Sequence, residues 1–294
     1  MGEKDILEKT LEAYNDVFAD IVNVLLFKGK QVVSEDELVD RLPRSHYKAA
    51  GKIHEAERDV AKIWKTGKIR IALIGYENQT ETDPDMPLRM IGYDGAEYRV
   101  QLTKENEGGN RYPVITLVLY FGYKKRWDQA KSLWECLDMP EEVKPYVNDY
   151  KLNLFEIAYL SREEVKQFKS DFRAVADYFV QMRENGEYKP EEQELKHVEE
   201  TLQLLSVMTG DNRFEEVYKE ESREGRVTSM SEALDRIEQR GWQQGWRDGQ
   251  QNGENAIALL IQKLLEMGRM DDIKKAAENR DYRHRLMKEL SISE

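Results

Sequence analysis

Apolar residues recur at spacings of three and four from Ile6 through Leu11, Val17, Phe18, Ile21 and Val22 to Leu26. That period predicts one amphipathic helix over 4–28, stopped at Lys28-Gly29-Lys30. Residues 31–56 carry no clear period and read as loop with short helix. The pattern then becomes extended. Val60–Trp64 and Ile69–Tyr76 are rich in β-branched and aromatic residues, and Thr66-Gly67 between them marks a hairpin turn. Asp83-Pro84 breaks regular structure, and Pro87 suits the first turn of a helix over 87–104, with Leu88, Ile91, Ala96 and Val100 inward. The run YPVITLVLYF at 112–121 is continuously apolar, as in a strand buried on both faces. A hairpin, a crossover helix and that strand make an α/β unit, with the last strand parallel to the second hairpin strand.

Further along, 125–138 reads as a helix and 148–158 as an outer strand. From 161 the period is helical: Phe168, Phe172, Val175, Ala176, Phe179 and Val180 form one stripe. A second helix covers about 190–208, Gly210 breaks it, and 213–224 reads as a short charged helix. Ser229 caps a further helix, with Glu232 at capping-box spacing. Glycines then stand at 241, 245, 249 and 253. Four residues advance about 400° around a helix, so they form one slowly rotating stripe. Each costs about 1 kcal/mol relative to alanine there. Close packing of another backbone would offset that; otherwise the stretch is a linker. Its neighbours, Trp242 to Asp248, are too polar for lipid. Residues 254–267 and a final charged helix complete the tail. The organisation expected is 1–160 as an α/β domain, 161–225 as a helical extension, and 226–294 as a glycine-striped helical tail.

Composition narrows the class. No apolar run reaches the roughly 18–20 residues of a membrane span, so a cytoplasmic protein with no membrane partner is expected. The single cysteine, Cys136, excludes an intramolecular disulfide. Charged residues make up 35% of the 294 residues and the net charge is −12. That sign opposes nucleic-acid binding, in which cations neutralise phosphates. The objection weakens locally, because residues 41–70 hold Arg41, Arg44, Lys48, Lys52, Arg58, Lys62, Lys65, Lys68 and Arg70. They make either a basic face on an acidic protein or ordinary solvated positions.

The hairpin carries the candidate chemistry. Asp59 stands near the start of its first strand; Glu77 closes the second, and Gln79 follows. Two strand-borne carboxylates can hold a divalent metal beside a phosphodiester, where the metal stabilises charge and activates water. Gln79 can orient that water but cannot act as a base. Asp16 and Asp20, four apart on the first helix, could reach the metal through water, and Arg89 could hold a phosphate. The bland alternative is a set of solvated carboxylates and a surface arginine. The chemistry also sets a geometric condition. A two-residue turn at 66–67 sets Asp59 opposite Ile74, off the face of Glu77. A three-residue turn at 66–68, or an equivalent bulge, brings Asp59, Glu77 and Gln79 to one face.

Taken together, ERDVAKIW, IGYENQT, DPDMPLRMIGYDGAEYR and YPVITLVLYFG resemble the bacterial recombination-promoting nuclease family, whose members are also labelled transposases. NDYKLNLFEIAYL, SDFRAVADYF and the glycine-repeat tail extend the resemblance over nearly the whole chain. It implies the PD-(D/E)XK nuclease core: a mixed central sheet flanked by helices, here with an α-helical C-terminal region. It implies Mg²⁺ (or Mn²⁺ or Ca²⁺) and DNA as ligands. The implied site is Asp59 and Glu77 as metal ligands with Gln79, and Asp20 as the first-helix acid. Gln79 stands where the superfamily usually has lysine. The expected function is a metal-dependent DNA endonuclease in recombination or mobile-element biology. The alternative is a silent member acting as a DNA-binding or oligomeric protein, with self-association through the tail.

Overall fold

The computed structural model describes residues 11–40, 44–49, 52–57, 60–65, 69–76, 82–102, 111–219 and 227–292; for 44–49, 52–57, 70, 72–76 and 218–219 it describes backbone alone. Contacts divide the chain into two units, Met1–Ala233 and Leu234–Glu294.

The first unit is built on a five-stranded mixed sheet. Its strands are β1 (Leu38–Asp40), β4 (Val60–Trp64), β5 (Ile69–Tyr76), β6 (Val114–Tyr120) and β7 (Asn153–Glu156), in that spatial order. The pairs β1/β4 and β4/β5 are antiparallel, while β5/β6 and β6/β7 are parallel. The crossover between β5 and β6 holds helix α2 (Met86–Val100). The hairpin, the crossover and the parallel buried strand are those that the sequence pattern predicts, and β7 is the outer strand. Side chains alternate across the sheet, so β6 serves two cores. Val118 and Tyr120 pack with Met86, Met90, Tyr93 and Trp127 on one face. On the other, Phe121 meets Phe172 and Phe179 of α5 (Phe172–Asn185) at ring separations of 6.2 and 5.3 Å. The predicted stripe from Phe168 to Val180 is buried throughout.

Several expectations are corrected. The helix expected over 4–28 is broken: Leu11 and Glu12 are helical, Tyr14 is extended (ψ 133), and α1 (Asn15–Leu25) follows; residues 4–10 lie outside the described residues. Residues 31–56 are not mainly loop. They contain β1 and a two-stranded antiparallel sheet of β2 (Arg44–Ala49) and β3 (Lys52–Glu57). RSHYKA and KIHEAE present no continuous apolar face, so the alternation that betrays a half-buried strand is missing. Residues 125–138 are helical only at α3 (Leu133–Cys136). The rest runs beside 150–152: Leu133 donates its N–H to Tyr150 O at 2.9 Å, and Leu152 to Lys131 O at 2.9 Å. The strand expected over 148–158 shortens to β7, because Ile157–Tyr159 form a 3₁₀ turn.

The inward face of α2 is also corrected. Leu88 and Ile91 are exposed, while Met86, Met90, Tyr93, Asp94, Glu97 and Gln101 are buried. A polar row thus faces the sheet, and it is satisfied there. Asp94 accepts from Thr116 Oγ1 at 2.6 Å and from the Tyr150 hydroxyl; Glu97 accepts from Tyr112 OH at 2.9 Å. Gln101 brackets the Tyr112 backbone, accepting its N–H at 2.9 Å and donating to its carbonyl at 3.0 Å. Periodicity assigns the inside of a helix by apolarity, so it picks the wrong side here.

Two short helices lie near the end of this unit: α4 (Arg162–Val165), before α5, and α7 (Arg213–Lys219). The helix expected over 190–208 is α6 (Val198–Thr209), closed by left-handed Gly210 as the sequence predicts. It starts late because 193–197 is tied elsewhere, with Leu195 N–H bonded to Thr228 O at 2.8 Å.

The second unit begins within α8 (Met230–Glu266). The glycine-striped stretch is continuous helix, not a break. Ser229 Oγ accepts from Glu232 N–H at 3.2 Å, which starts the helix as expected. Its C-terminal turns pack with α9 (Met270–Glu278) and α10 (Arg280–Glu289) around Leu260, Leu264, Leu286 and Met287. Among the described residues, no helix is long and apolar enough to cross a membrane.

Candidate functional site

Asp59, Glu77 and Gln79 lie outside the described residues. The strands on either side of them fix part of the geometric condition. Val60 pairs with Leu73 and Trp64 with Ile69. That is the register of a two-residue turn, so the three-residue alternative does not hold over the described pairs. The other alternative, a bulge next to the acids, lies outside the described residues.

The sheet edge next to Glu77 in the chain is well defined. Tyr76 pairs with Tyr120, and Tyr120 with Glu156, so these three residues form the last row across the parallel strands. The chain returns at Thr82, whose buried hydroxyl donates to Asp128 Oδ1 at 2.7 Å. Open α/β sheets bind ligands at the carboxyl ends of their strands, and this edge is that end.

Asp20 is buried on α1 and already engaged. Its Oδ2 accepts the backbone N–H groups of Lys169 and Ser170, both at 2.7 Å, in the turn leading into α5. It thus holds the first helix to the turn before α5. Asp20→Ala leaves two N–H donors without their acceptor and is expected to cost about 1–3 kcal/mol in urea denaturation. Asp20→Asn keeps an acceptor oxygen and is expected to cost less. A loss of cleavage in a fully folded Asp20→Asn protein marks a chemical role; unchanged cleavage marks a structural one.

Asp16, the other first-helix acid, is a clamp. Its carboxylate meets Lys196 Nζ at 2.7 Å and His197 Nε2 at 3.1 Å, and the His197 ring stacks on Tyr14 at 3.7 Å. Burial works to raise its pKa, but the hydrogen bonds from Lys196 and His197 outweigh it and hold the carboxyl below its ordinary value. A depressed carboxyl pKa stabilises the fold above the unfolded value of about 3.9 and loses that contribution as pH falls through the folded value. Asp16→Asn is therefore expected to cost about 1 kcal/mol at pH 7. That deficit should shrink toward zero as pH drops below about 4. Denaturation curves from pH 7 to pH 3 check it, and a pH-independent difference overturns it.

Arg89 is committed as well. It pairs with Asp83 at 2.7 Å and reaches the Tyr93 hydroxyl at 3.3 Å, so a phosphate would compete with Asp83 for it. Asp16 and Asp20 line one open cleft with Asn23, Gln31 and Glu35; Arg89 does not line it. Lys62, counted in the basic stretch, is not on a surface. Its side chain is fully buried, bound to Asp40 and set 5.7 Å from the Phe18 ring. Among the described residues, no group of three or more His, Cys, Asp or Glu side chains converges to hold a metal. The oxygen donors proposed for one, Asp59 and Glu77, suit Mg²⁺ by their chemistry.

The sequence reading missed the loop after β6. Gly122-Tyr123-Lys124-Lys125-Arg126 leaves the same last row of the sheet. Its signal is three successive cations just past a strand, of which Lys125 and Arg126 fall within the helix expected over 125–138.

The arrangement defines a mixed α/β protein with an antiparallel hairpin, a helical crossover and two parallel strands. Residues 68–206 match a family model described as "Putative transposase, YhgA-like". Over that span the chain is similar to this family, the one its motifs resemble. The match includes Glu77, Gln79 and Arg89 and begins after Asp16, Asp20 and Asp59. Neither the curated proteins nor the solved structures contain a match.

Proposed function

We propose that the chain is a divalent-metal-dependent DNA endonuclease with a PD-(D/E)XK-type core, serving recombination or mobile-element biology. The observation that carries this reading is the run from the second hairpin strand through crossover to parallel strand, inside a transposase-family match, with Glu77 and Gln79 soon after the last row of β5. Asp59 and Glu77 would hold Mg²⁺, which when bound supplies charge stabilisation at phosphate and a more acidic water. Gln79 would orient the attacking water through its amide. It brings no positive charge, so phosphate neutralisation falls to other cations of the chain.

The test is nicking of supercoiled plasmid by the full chain with Mg²⁺ or Mn²⁺, against EDTA. Metal-dependent conversion to open circle is expected; intact plasmid under both metals sinks the reading.

A second reading is an oligomeric or DNA-binding member without cleavage. The long helix favours it. Trp242 and Trp246 are 74% and 63% exposed, and nothing lies within 4 Å of where a Cβ would sit at Gly241, Gly245, Gly249 and Gly253. That bare helical surface is available for self-association through the tail.

A further inference from the structure

We propose that the loop Tyr123–Arg126, together with Arg183, is the surface on which this acidic protein holds a nucleic-acid backbone. The inference rests on the nucleic-acid reading above and deepens it by naming where phosphates bind. Three observations carry it.

The first is position. The loop leaves β6 from the last row, Tyr76–Tyr120–Glu156, the row that Glu77 follows in the chain. Its far end, Asp128, is bonded to Thr82, where the chain returns from the segment carrying Glu77 and Gln79.

The second is rigidity. The Tyr120 hydroxyl donates to Lys125 O at 3.1 Å, and Trp127 N–H donates to Glu156 Oε1 at 2.9 Å. Tyr120 and Trp127 pack edge to face at 5.4 Å. Gly122 lies so close to Tyr120 that an added Cβ would sit 2.1 Å from the hydroxyl oxygen. Only glycine lets the loop fold back over the strand end. A loop held in this way presents its cations without a large ordering cost on binding.

The third is charge. Lys124, Lys125 and Arg126 are all exposed. The Arg126 and Arg183 guanidiniums lie 4.3 and 5.1 Å from the centroid of one ring, Tyr159. Arg183 is paired with Glu184 at 2.5 Å, and its planar guanidinium, like that of Arg126, suits phosphate oxygens once such a pair exchanges. Lys125 and Arg126 also touch Asp128 and Glu156, each at 3.0 Å. Such pairs involving exposed lysine and arginine are weak and exchange readily for phosphate. The protein's net charge of −12 makes a local cationic edge the only practical footing for DNA.

The test is fluorescence anisotropy of a labelled random-sequence duplex with the full chain in EDTA at low salt, where no cleavage occurs. Lys124→Glu/Lys125→Glu is compared with Lys189→Glu/Lys274→Glu, an equal charge change at exposed sites elsewhere. The loop variant is expected to bind at least ~10-fold more weakly, with the salt slope reduced by about one to two. The control pair is expected to change affinity less than about threefold, and both should melt near the wild type. Equal weakening by both pairs, unchanged binding by the loop pair, or no binding by wild type each overturns the inference. Plasmid nicking is scored separately. Binding through the loop without nicking keeps this inference and rejects the nuclease, while nicking with loop-independent binding does the reverse.

Discussion

Asp94→Ala is expected to destabilise the first unit by about 2–4 kcal/mol. Asp94 is 3% exposed and sits at the centre of a buried polar junction. It accepts from Thr116 Oγ1 on β6 at 2.6 Å and from the Tyr150 hydroxyl, so one carboxylate joins α2, β6 and the approach to β7. Truncation strands the buried Thr116 hydroxyl, removes an acceptor from the half-buried Tyr150 hydroxyl and leaves a void. The Thr116 hydroxyl, in a residue 4% exposed, cannot recover its bond from solvent, so the cost exceeds that of one exposed hydrogen bond. Thr116→Val and Tyr150→Phe each remove one donor together with its desolvation cost, and should lose only about 1 kcal/mol apiece. Urea denaturation of the singles and doubles gives the coupling energies. Asp94→Ala should couple to both by more than about 0.5 kcal/mol. A loss by Asp94→Ala below about 0.5 kcal/mol, within the range of ordinary surface changes, refutes the account.

The same junction explains what the sequence could and could not reveal. β6 was legible because a strand buried on both faces must be continuously apolar, and VITLVLY is. The Phe168–Val180 stripe was legible because an aromatic-rich period has one plausible inside. Asp94, Glu97 and Gln101 were not, because their burial depends on Tyr112, Thr116 and Tyr150, whose proximity no local pattern encodes. The β2/β3 pair was hidden for the opposite reason: its register is set by backbone pairing, with little apolar alternation to advertise it. At the candidate site the chain announced residue types but not partners. Asp16 and Asp20 looked interchangeable at a spacing of four. The fold separates them, Asp20 serving the backbone N–H groups of Lys169 and Ser170 and Asp16 a lysine and a histidine more than 150 residues away. The Tyr123–Arg126 loop was in plain view as charge, but its meaning comes from the row of strand ends beneath it.

Glu77→Gln should abolish cleavage, lowering the nicking rate by about 10³-fold or more while leaving DNA binding in EDTA intact. The substitution keeps size and removes one negative charge, so a lost metal ligand, rather than a lost fold, accounts for the effect. Several kcal/mol of charge stabilisation disappear with the metal, and each 1.36 kcal/mol is a factor of ten in rate. Asp59→Asn should behave alike, and if the two acids hold one ion, the two together should cost little more than either alone. Gln79 gives the finer discrimination. If its role is to orient water, Gln79→Ala should slow nicking by about 10²-fold. Gln79→Lys, which supplies the charge the chain lacks there, should retain or raise the rate. Melting temperature and anisotropy in EDTA should be unchanged for all four variants. Nicking that survives both Glu77→Gln and Asp59→Asn at the wild-type rate would falsify the assignment of these acids. Loss of DNA binding in the same variants would instead mark them as part of the binding surface, a role their negative charge argues against from the start.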